Sequence, residues 1–189
     1  MIAFVWAKVL ASLKAYVETG TGSPLHRLSN RRSPGRYDQM ALDVTTDIVI
    51  DRPITVVAGY AGDPTNAPDW YANIKSIEWR TPPPLGLGSK LDFVAQFLGR
   101  RLVYTYEVVE LRPGRRLVMR TTQGPFPMET TYTWEPADRS RTKMSLRNRG
   151  TPSGFARITE PVMAAAVRRA NQKDLARLKN LLESAPNQG

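Results

Sequence analysis

The chain has no cysteine and a single histidine, His26. Disulfides, thiolate nucleophiles and cysteine metal sites are excluded, and the lone histidine lies in a Gly/Ser/Pro/Arg stretch unsuited to building a site. Ser-His-Asp catalysis and histidine zinc centres go with it. A cysteine-free chain fits a cytoplasmic protein without requiring one. Long apolar runs are missing too. Residues 1–17 are apolar but broken by Lys8 and Lys14, well short of the roughly 20 residues that span a bilayer. The basic residues also follow the apolar start, the wrong order for a secretory signal. Gly20-Thr21-Gly22 and Gly86-Leu87-Gly88 lack the remainder of any nucleotide fingerprint, and nothing in the chain calls for a cofactor or a metal.

What is present is a basic chain of 189 residues with a net charge of +10, a length suited to one domain. Residues 1–40 carry Lys8, Lys14, Arg27, Arg31, Arg32 and Arg36 against Glu18 and Asp38, a net +4, and the rest carries +6. The basic residues are spread over strand and helix positions and are not interleaved with aromatics on one face. They read as a solvated surface, with no specific nucleic-acid partner.

The first 40 residues stand apart. Ile2, Trp6, Val9, Leu13 and Tyr16 share one face of a helical wheel opposite Lys8, Lys14 and Glu18. Such a helix suits peripheral contact with a membrane through residues 1–17, or docking on a partner. Gly20 to Gln39 has no periodicity and reads as a disordered basic linker. Met40-Ala41 offers an alternative start, which would make everything before it an adventitious leader. The expected division is an extension over 1–40 and a folded domain over 41–185.

From Asp43 the pattern turns to period two. Val44, Thr46, Ile48 and Ile50 alternate with polar residues until Arg52-Pro53 stops the strand. Ile54 to Tyr60 reads as a short helix, and the turn-rich Asp63 to Trp70 closes a helix pair that brings Trp70 and Tyr71 inward. Lys75 to Arg80 is a second strand. Five more follow at short spacing, through Leu91 and Phe93, Tyr104 and Tyr106, Leu117 and Met119, Tyr132 and Trp134, and Met144 and Leu146. Hairpin connections make the sheet antiparallel, and its alternating apolar face needs a cover.

The cover is the last element, Phe155 to Ser184, a helix of about 45 Å if unbroken. Met163, Val167, Leu175, Leu178 and Leu182 form its apolar stripe. From Leu175 onward the stripe is leucine. From Met163 to Asn171 it is mostly small (Ala164, Ala165, Ala166 and Ala170), with Asn171 where another leucine would fit. A helix anchored at one end and thin-walled at the other suits the roof of a cavity; alanines are also simply good helix formers. Pro161 should kink the helix or mark where its regular part begins.

Four stretches in this order and spacing resemble the START-like or SRPBCC superfamily of polyketide cyclases, lipid-transfer domains and pollen-allergen relatives. They are Asp63-Pro64-x-Asn66-x-Pro68-x-Trp70, Gly88-Ser89-Lys90-Leu91, Glu107-Val108-Val109-Glu110-Leu111-x-Pro113-Gly114-x-Arg116-Leu117, and Asp174-Leu175-x-x-Leu178-Lys179-x-Leu181-Leu182-Glu183. The resemblance runs from about Leu42 to Ser184. It implies an α+β helix-grip fold: a seven-stranded curved antiparallel sheet around a long C-terminal helix, with two short helices after the first strand. It also implies a deep cavity between sheet and helix. The matching positions are turns and packing residues, so they speak for fold and little for function.

Strand alternation then sets the expected lining: Tyr104, Tyr106, Met119, Thr121, Thr130, Tyr132, Trp134, Met144 and Asn148 from the sheet, and Met163, Val167 and Asn171 from the helix. Leu91, Phe93, Phe97 and Leu146 extend the apolar wall. Such a lining suits a hydrophobic small molecule, a lipid or a ring-bearing polyketide-like compound. The same aromatics could merely fill a core, and a one-residue register slip would turn the set outward. Asp92, Glu107, Arg120 and Glu129 fall out of phase and read as cross-strand surface pairs. An aromatase or cyclase, held together by tyrosine and arginine hydrogen bonds, is the alternative to a binding protein. The expected assembly is a monomer or a weak dimer.

Overall fold

A computed structural model describes residues 42–97, 100–124, 127–151 and 160–185. The expectations for residues 1–41 and for a helical turn over 155–159 lie outside the described residues. The elements run β1 (Leu42–Ile50), α1 (Ile54–Ala61), a 3-10 turn (Pro64–Asn66), α2 (Ala67–Trp70), β2 (Ile74–Trp79), β3 (Lys90–Phe97), β4 (Arg100–Arg112), β5 (Arg116–Gln123), β6 (Met128–Pro136), β7 (Thr142–Gly150) and α3 (Glu160–Ser184). The seven strands form one antiparallel sheet in the order β1-β7-β6-β5-β4-β3-β2. This is the α+β helix-grip fold. Meander hairpins build most of the sheet, and β1 completes one edge by pairing with β7.

Short polar side chains fix the turns. Asp63 accepts from the backbone N–H of Thr65 at 2.9 Å, and Asn66 Nδ2 donates to the carbonyl of Tyr60 at 3.0 Å, tying the α1–α2 corner. That corner delivers Trp70 and Tyr71 into the core, where their rings stack 3.9 Å apart. Gly114 takes φ +69° in the β4–β5 turn, a conformation glycine adopts without a Cβ clash.

α3 packs chiefly on β1 and α2, and its two halves are held differently. In the C-terminal half Leu175, Leu178 and Leu182 are buried. Polar clamps reinforce them: Glu183 accepts from the N–H of Asp51 at 2.7 Å, Lys179 donates to the carbonyl of Val49 at 2.7 Å, and Arg52 donates to the carbonyl of Glu183 at 2.9 Å. In the N-terminal half Met163, Val167, Ala170 and Asn171 face inward, and the one side-chain hydrogen bond described there runs from Asn171 to Thr46 at 3.3 Å. The expected small-residue wall needs correcting. Ala165 and Ala166 are exposed and Ala164 is half-buried, because at about 100° per residue positions 165 and 166 point away from 163 and 167. Pro161 sits in the first described turn of α3.

The opposite face of the sheet carries the charged residues. Arg120 pairs with Glu129 across β5–β6 at 2.7 Å, and Lys90 with Glu107 across β3–β4 at 3.6 Å. These are the cross-strand pairs the pattern implies. They are not all on the surface, however: Asp92 is 0% exposed and Glu129 6%. Arginine stems cover them. Arg80 donates to Asp92 at 2.7 Å while Thr105 donates to its other oxygen at 2.7 Å, and Arg149 flanks Glu129 at 3.5 Å. The Arg80 contact, followed by Thr105, holds the Asp92 carboxyl below the usual range despite burial.

Candidate ligand site between sheet and helix

Each described sheet side chain expected to point inward is buried, and none of the twelve from Tyr104 to Asn171 expected above to form the lining is more than 8% exposed. The side chain of Phe97 lies outside the described set. A crevice of about 10 Å³ lies between the ends of β1, β6 and β7 and α3, lined by Leu42, Met128, Thr130, Asn148 and Val167 among others. That is room for about one water.

The polar groups form small clusters within the apolar wall. Thr130 donates to Asn148 Oδ1 at 3.1 Å, and Asn171 Nδ2 donates to Thr46 Oγ1 at 3.3 Å. Thr121 accepts from the backbone N–H of Met128 at 2.8 Å, which ties β5 to β6 and occupies that hydroxyl. Tyr132 and Tyr71 share a hydrogen bond of 2.7 Å between their hydroxyls. Phe93 meets Tyr106 edge-on, with ring centres 5.1 Å apart. Three polar atoms of the expected lining have no partner among the described residues: Tyr104 Oη, Asn148 Nδ2 and Asn171 Oδ1. Burial pushes the Tyr104 hydroxyl up to about 12 and raises Tyr71, Tyr106 and Tyr132 as well, so all four are neutral hydroxyls at physiological pH.

Trp134 lies four residues along β6 from Thr130, about 13 Å on, and also lines an open groove of about 790 Å³ beneath α1.

Sequence reasoning passed over one inward acid. Asp174 is 1% exposed, accepts from the N–H of Ala72 at 3.2 Å, and lies close enough to Tyr71 and Tyr132 to raise both phenols. The signal was available: Asp174 stands three residues after Asn171 and four before Leu178, on the buried stripe. Desolvation raises its carboxyl above the ordinary range, opposed by the Ala72 N–H. A native value raised above the unfolded one favours folding at acid pH. That contribution is complete below about pH 4 and is lost as pH climbs through the native value. Asp174→Asn should therefore raise Tm at neutral pH and change it little near pH 3. Thermal melts of both proteins across that range read the difference; a variant less stable at pH 7 than at pH 3, relative to wild type, contradicts the assignment.

Among the described residues no cluster of acidic or histidine side chains is arranged to hold a metal ion. No helix of the described residues is long and apolar enough to cross a membrane.

Compared with known proteins, the family described as "Polyketide cyclase / dehydrase and lipid transport" matches residues 41–183. Among solved structures, a START superfamily protein from Mycobacterium smegmatis superposes with a TM-score of 0.64 at 15% identity, over 75% of this chain and 97% of that one. The Zhui aromatase/cyclase from Streptomyces sp. R1128 gives 0.59 at 18% identity, over 75% and 93%. The protein TTHA0849 from Thermus thermophilus gives 0.63 at 17% identity, over 77% and 99%. Identities this low establish the fold. The curated proteins contain no match.

Proposed function

Since the chain belongs to the polyketide cyclase / dehydrase and lipid transport family, we propose that it binds a hydrophobic small molecule, a lipid or polyketide-like compound, between the sheet and the N-terminal half of α3. The observation that carries this reading is the set of three partnerless polar atoms, Tyr104 Oη, Asn148 Nδ2 and Asn171 Oδ1, in otherwise apolar surroundings. A buried polar group without a partner costs about 1–3 kcal/mol. Two donors and one acceptor in the interior would meet the carbonyl and hydroxyl groups of a largely apolar ligand. Tyr104, Tyr106, Met119, Tyr132, Met144, Asn148, Met163, Val167 and Asn171 form the contact surface. The ligand enters under the Met163–Asn171 half of α3, where the one side-chain hydrogen bond described is that of Asn171 to Thr46. The leucines and clamps of the C-terminal half keep their place.

Native mass spectrometry of the purified protein should reveal a co-purifying apolar compound. A panel of fatty acids, sterols and polycyclic phenols should contain members that raise Tm. At a hundredfold excess over Kd the gain is about 2.7 kcal/mol, or on the order of 5–10 °C for a domain of this size. A flat response across the panel overturns the reading.

A cyclase-type enzyme is the second reading. Asp92, Glu107, Arg120 and Glu129 lend it nothing, since they lie on the far face of the sheet. Asp174 beside the Tyr71–Tyr132 pair does favour it, as a buried acid that could serve proton transfer next to a bound polyketone. Turnover of a panel compound that stops in Asp174→Asn while binding persists would select this reading over simple carriage.

A further inference from the structure

The solvent face of α3 takes no part in the site just described. Between Ala165 and Asn180 its exposed positions are four cations, Arg168, Arg169, Lys173 and Arg177, with only alanines and uncharged amides between them. The one acid in that stretch, Asp174, points the other way and is 1% exposed. Charge on the sheet is arranged differently. Every lysine or arginine side chain described on β3 to β7 is ion-paired with a carboxylate. None of the four helix cations has such a partner among the described residues, and the ion pair that α3 makes within itself, Lys179 with Glu183 at 2.8 Å, lies beyond them.

The spacing sharpens the contrast. Arg169, Lys173 and Arg177 stand at i, i+4 and i+8, so like charges face each other one turn apart twice over. Such contacts work against the helix, and nothing described in this molecule offsets them. A counter-charge from outside would.

We infer that this face of α3 docks on an anionic lipid bilayer, lying flat with its cations among the headgroup phosphates. Arg168 and Arg177 are about 14 Å apart along the axis and about 180° apart around it. They therefore edge the face, with Arg169 and Lys173 between them, and their long stems can bend down to a common plane. The alanines let the backbone come close to that plane. The face carries no aromatic or large apolar side chain, so the attraction is electrostatic and shallow. In one respect the inference rests on the proposed function. A carrier of an apolar ligand must collect or deliver it at an apolar phase, which favours a bilayer over other polyanions, and Arg168 and Arg169 sit on the half of α3 under which the ligand enters.

The test uses the full chain and vesicles of phosphatidylcholine with or without phosphatidylglycerol, read by co-sedimentation. Binding is expected to the mixed vesicles only, with release in about 1 M salt, where the screening length is about 3 Å. Lys173→Glu sets an acid one turn from both Arg169 and Arg177. It should hold or raise Tm while weakening vesicle binding by about tenfold or more. Arg115→Glu, an equal change of charge on the exposed β4–β5 turn, should leave binding within about twofold. Equal binding to both kinds of vesicle overturns the inference. So does wild-type affinity in folded Lys173→Glu, the result expected if residues 1–17 held the bilayer instead. Equal losses in the two variants would reduce the effect to net charge and overturn it as well. A DNA duplex that binds with the same sensitivity to Lys173→Glu, while vesicles do not bind, gives the face to nucleic acid and ends the inference. Vesicle binding that fails while panel compounds still raise Tm sinks this inference alone; the expected vesicle pattern with a flat panel keeps it and removes the ligand reading.

Discussion

Leu178→Ala should destabilise the protein by about 2–5 kcal/mol, the largest loss expected from any single truncation in α3. Leu178 is 0% exposed, in the half of the helix that also carries Leu175 and Leu182. Truncation removes three heavy atoms from a region fixed on two sides. The clamps from Glu183 to Asp51, from Lys179 to Val49 and from Arg52 to Glu183 hold the helix end in place, so it cannot sink to fill the void. The cavity term should therefore stay near its full value. Val167→Ala removes a buried side chain too, but from the half with one side-chain hydrogen bond described. There the helix can settle toward the sheet, and about 1–2 kcal/mol is expected. Urea unfolding of the two variants compares them directly. Equal losses would mean that α3 is held uniformly along its length, and the route by which a ligand enters under its N-terminal half would go with that result.

The two halves of α3 also show how far the sequence could be read. Strand alternation located the inward face of the other six strands, though not of β2, because a period of two leaves only two choices and the apolar side decides between them. Turn chemistry at Asp63 and Pro113-Gly114 placed two of the connections, since each depends on side-chain or backbone preferences local to a few residues. The helix was harder. Three alanines in a row carry no phase, so Ala165 and Ala166 read as wall although they face solvent. Asp174 was passed over for a related reason: an acid on a leucine stripe contradicts the pattern locally, and only its spacing from Asn171 and Leu178 shows it to be inside. The burial of Asp92 and Glu129 was invisible in the sequence, because it comes from arginine side chains on neighbouring strands and at the end of β2 folding over them. The groove was invisible as well. It is bounded by residues from five separate stretches, and no periodicity links Gly59, Pro84 and Pro113.

Asn171→Leu should make the protein more stable and worse at its proposed task. Asparagine and leucine have the same number of side-chain heavy atoms, and the position is 0% exposed on the face where the helical period calls for an apolar residue. The Oδ1 of Asn171 has no partner among the described residues, and its Nδ2 makes a 3.3 Å bond to Thr46. Replacing one partner alone would leave the Thr46 hydroxyl to find another partner. Replacing both, as Asn171→Leu with Thr46→Val, removes the pair and the orphan together. The expected gain is about 1–3 kcal/mol, the desolvation term of one unpaired polar group. Thermal or urea unfolding measures it. The same pair of changes deletes the acceptor proposed to meet the ligand and strengthens the hold of the weak half of α3 on the sheet. Both effects oppose entry, and binding of whichever panel compound raises Tm most should weaken by at least about tenfold, or 1.4 kcal/mol. Polar residues kept in a core against its own stability are expected where a site must admit a guest. If the double variant proves less stable than wild type, Asn171 is a packing residue whose polar atoms are already satisfied. If it is more stable yet binds the same compound equally well, the ligand does not touch Asn171, and the sheet–helix interior is not where it sits.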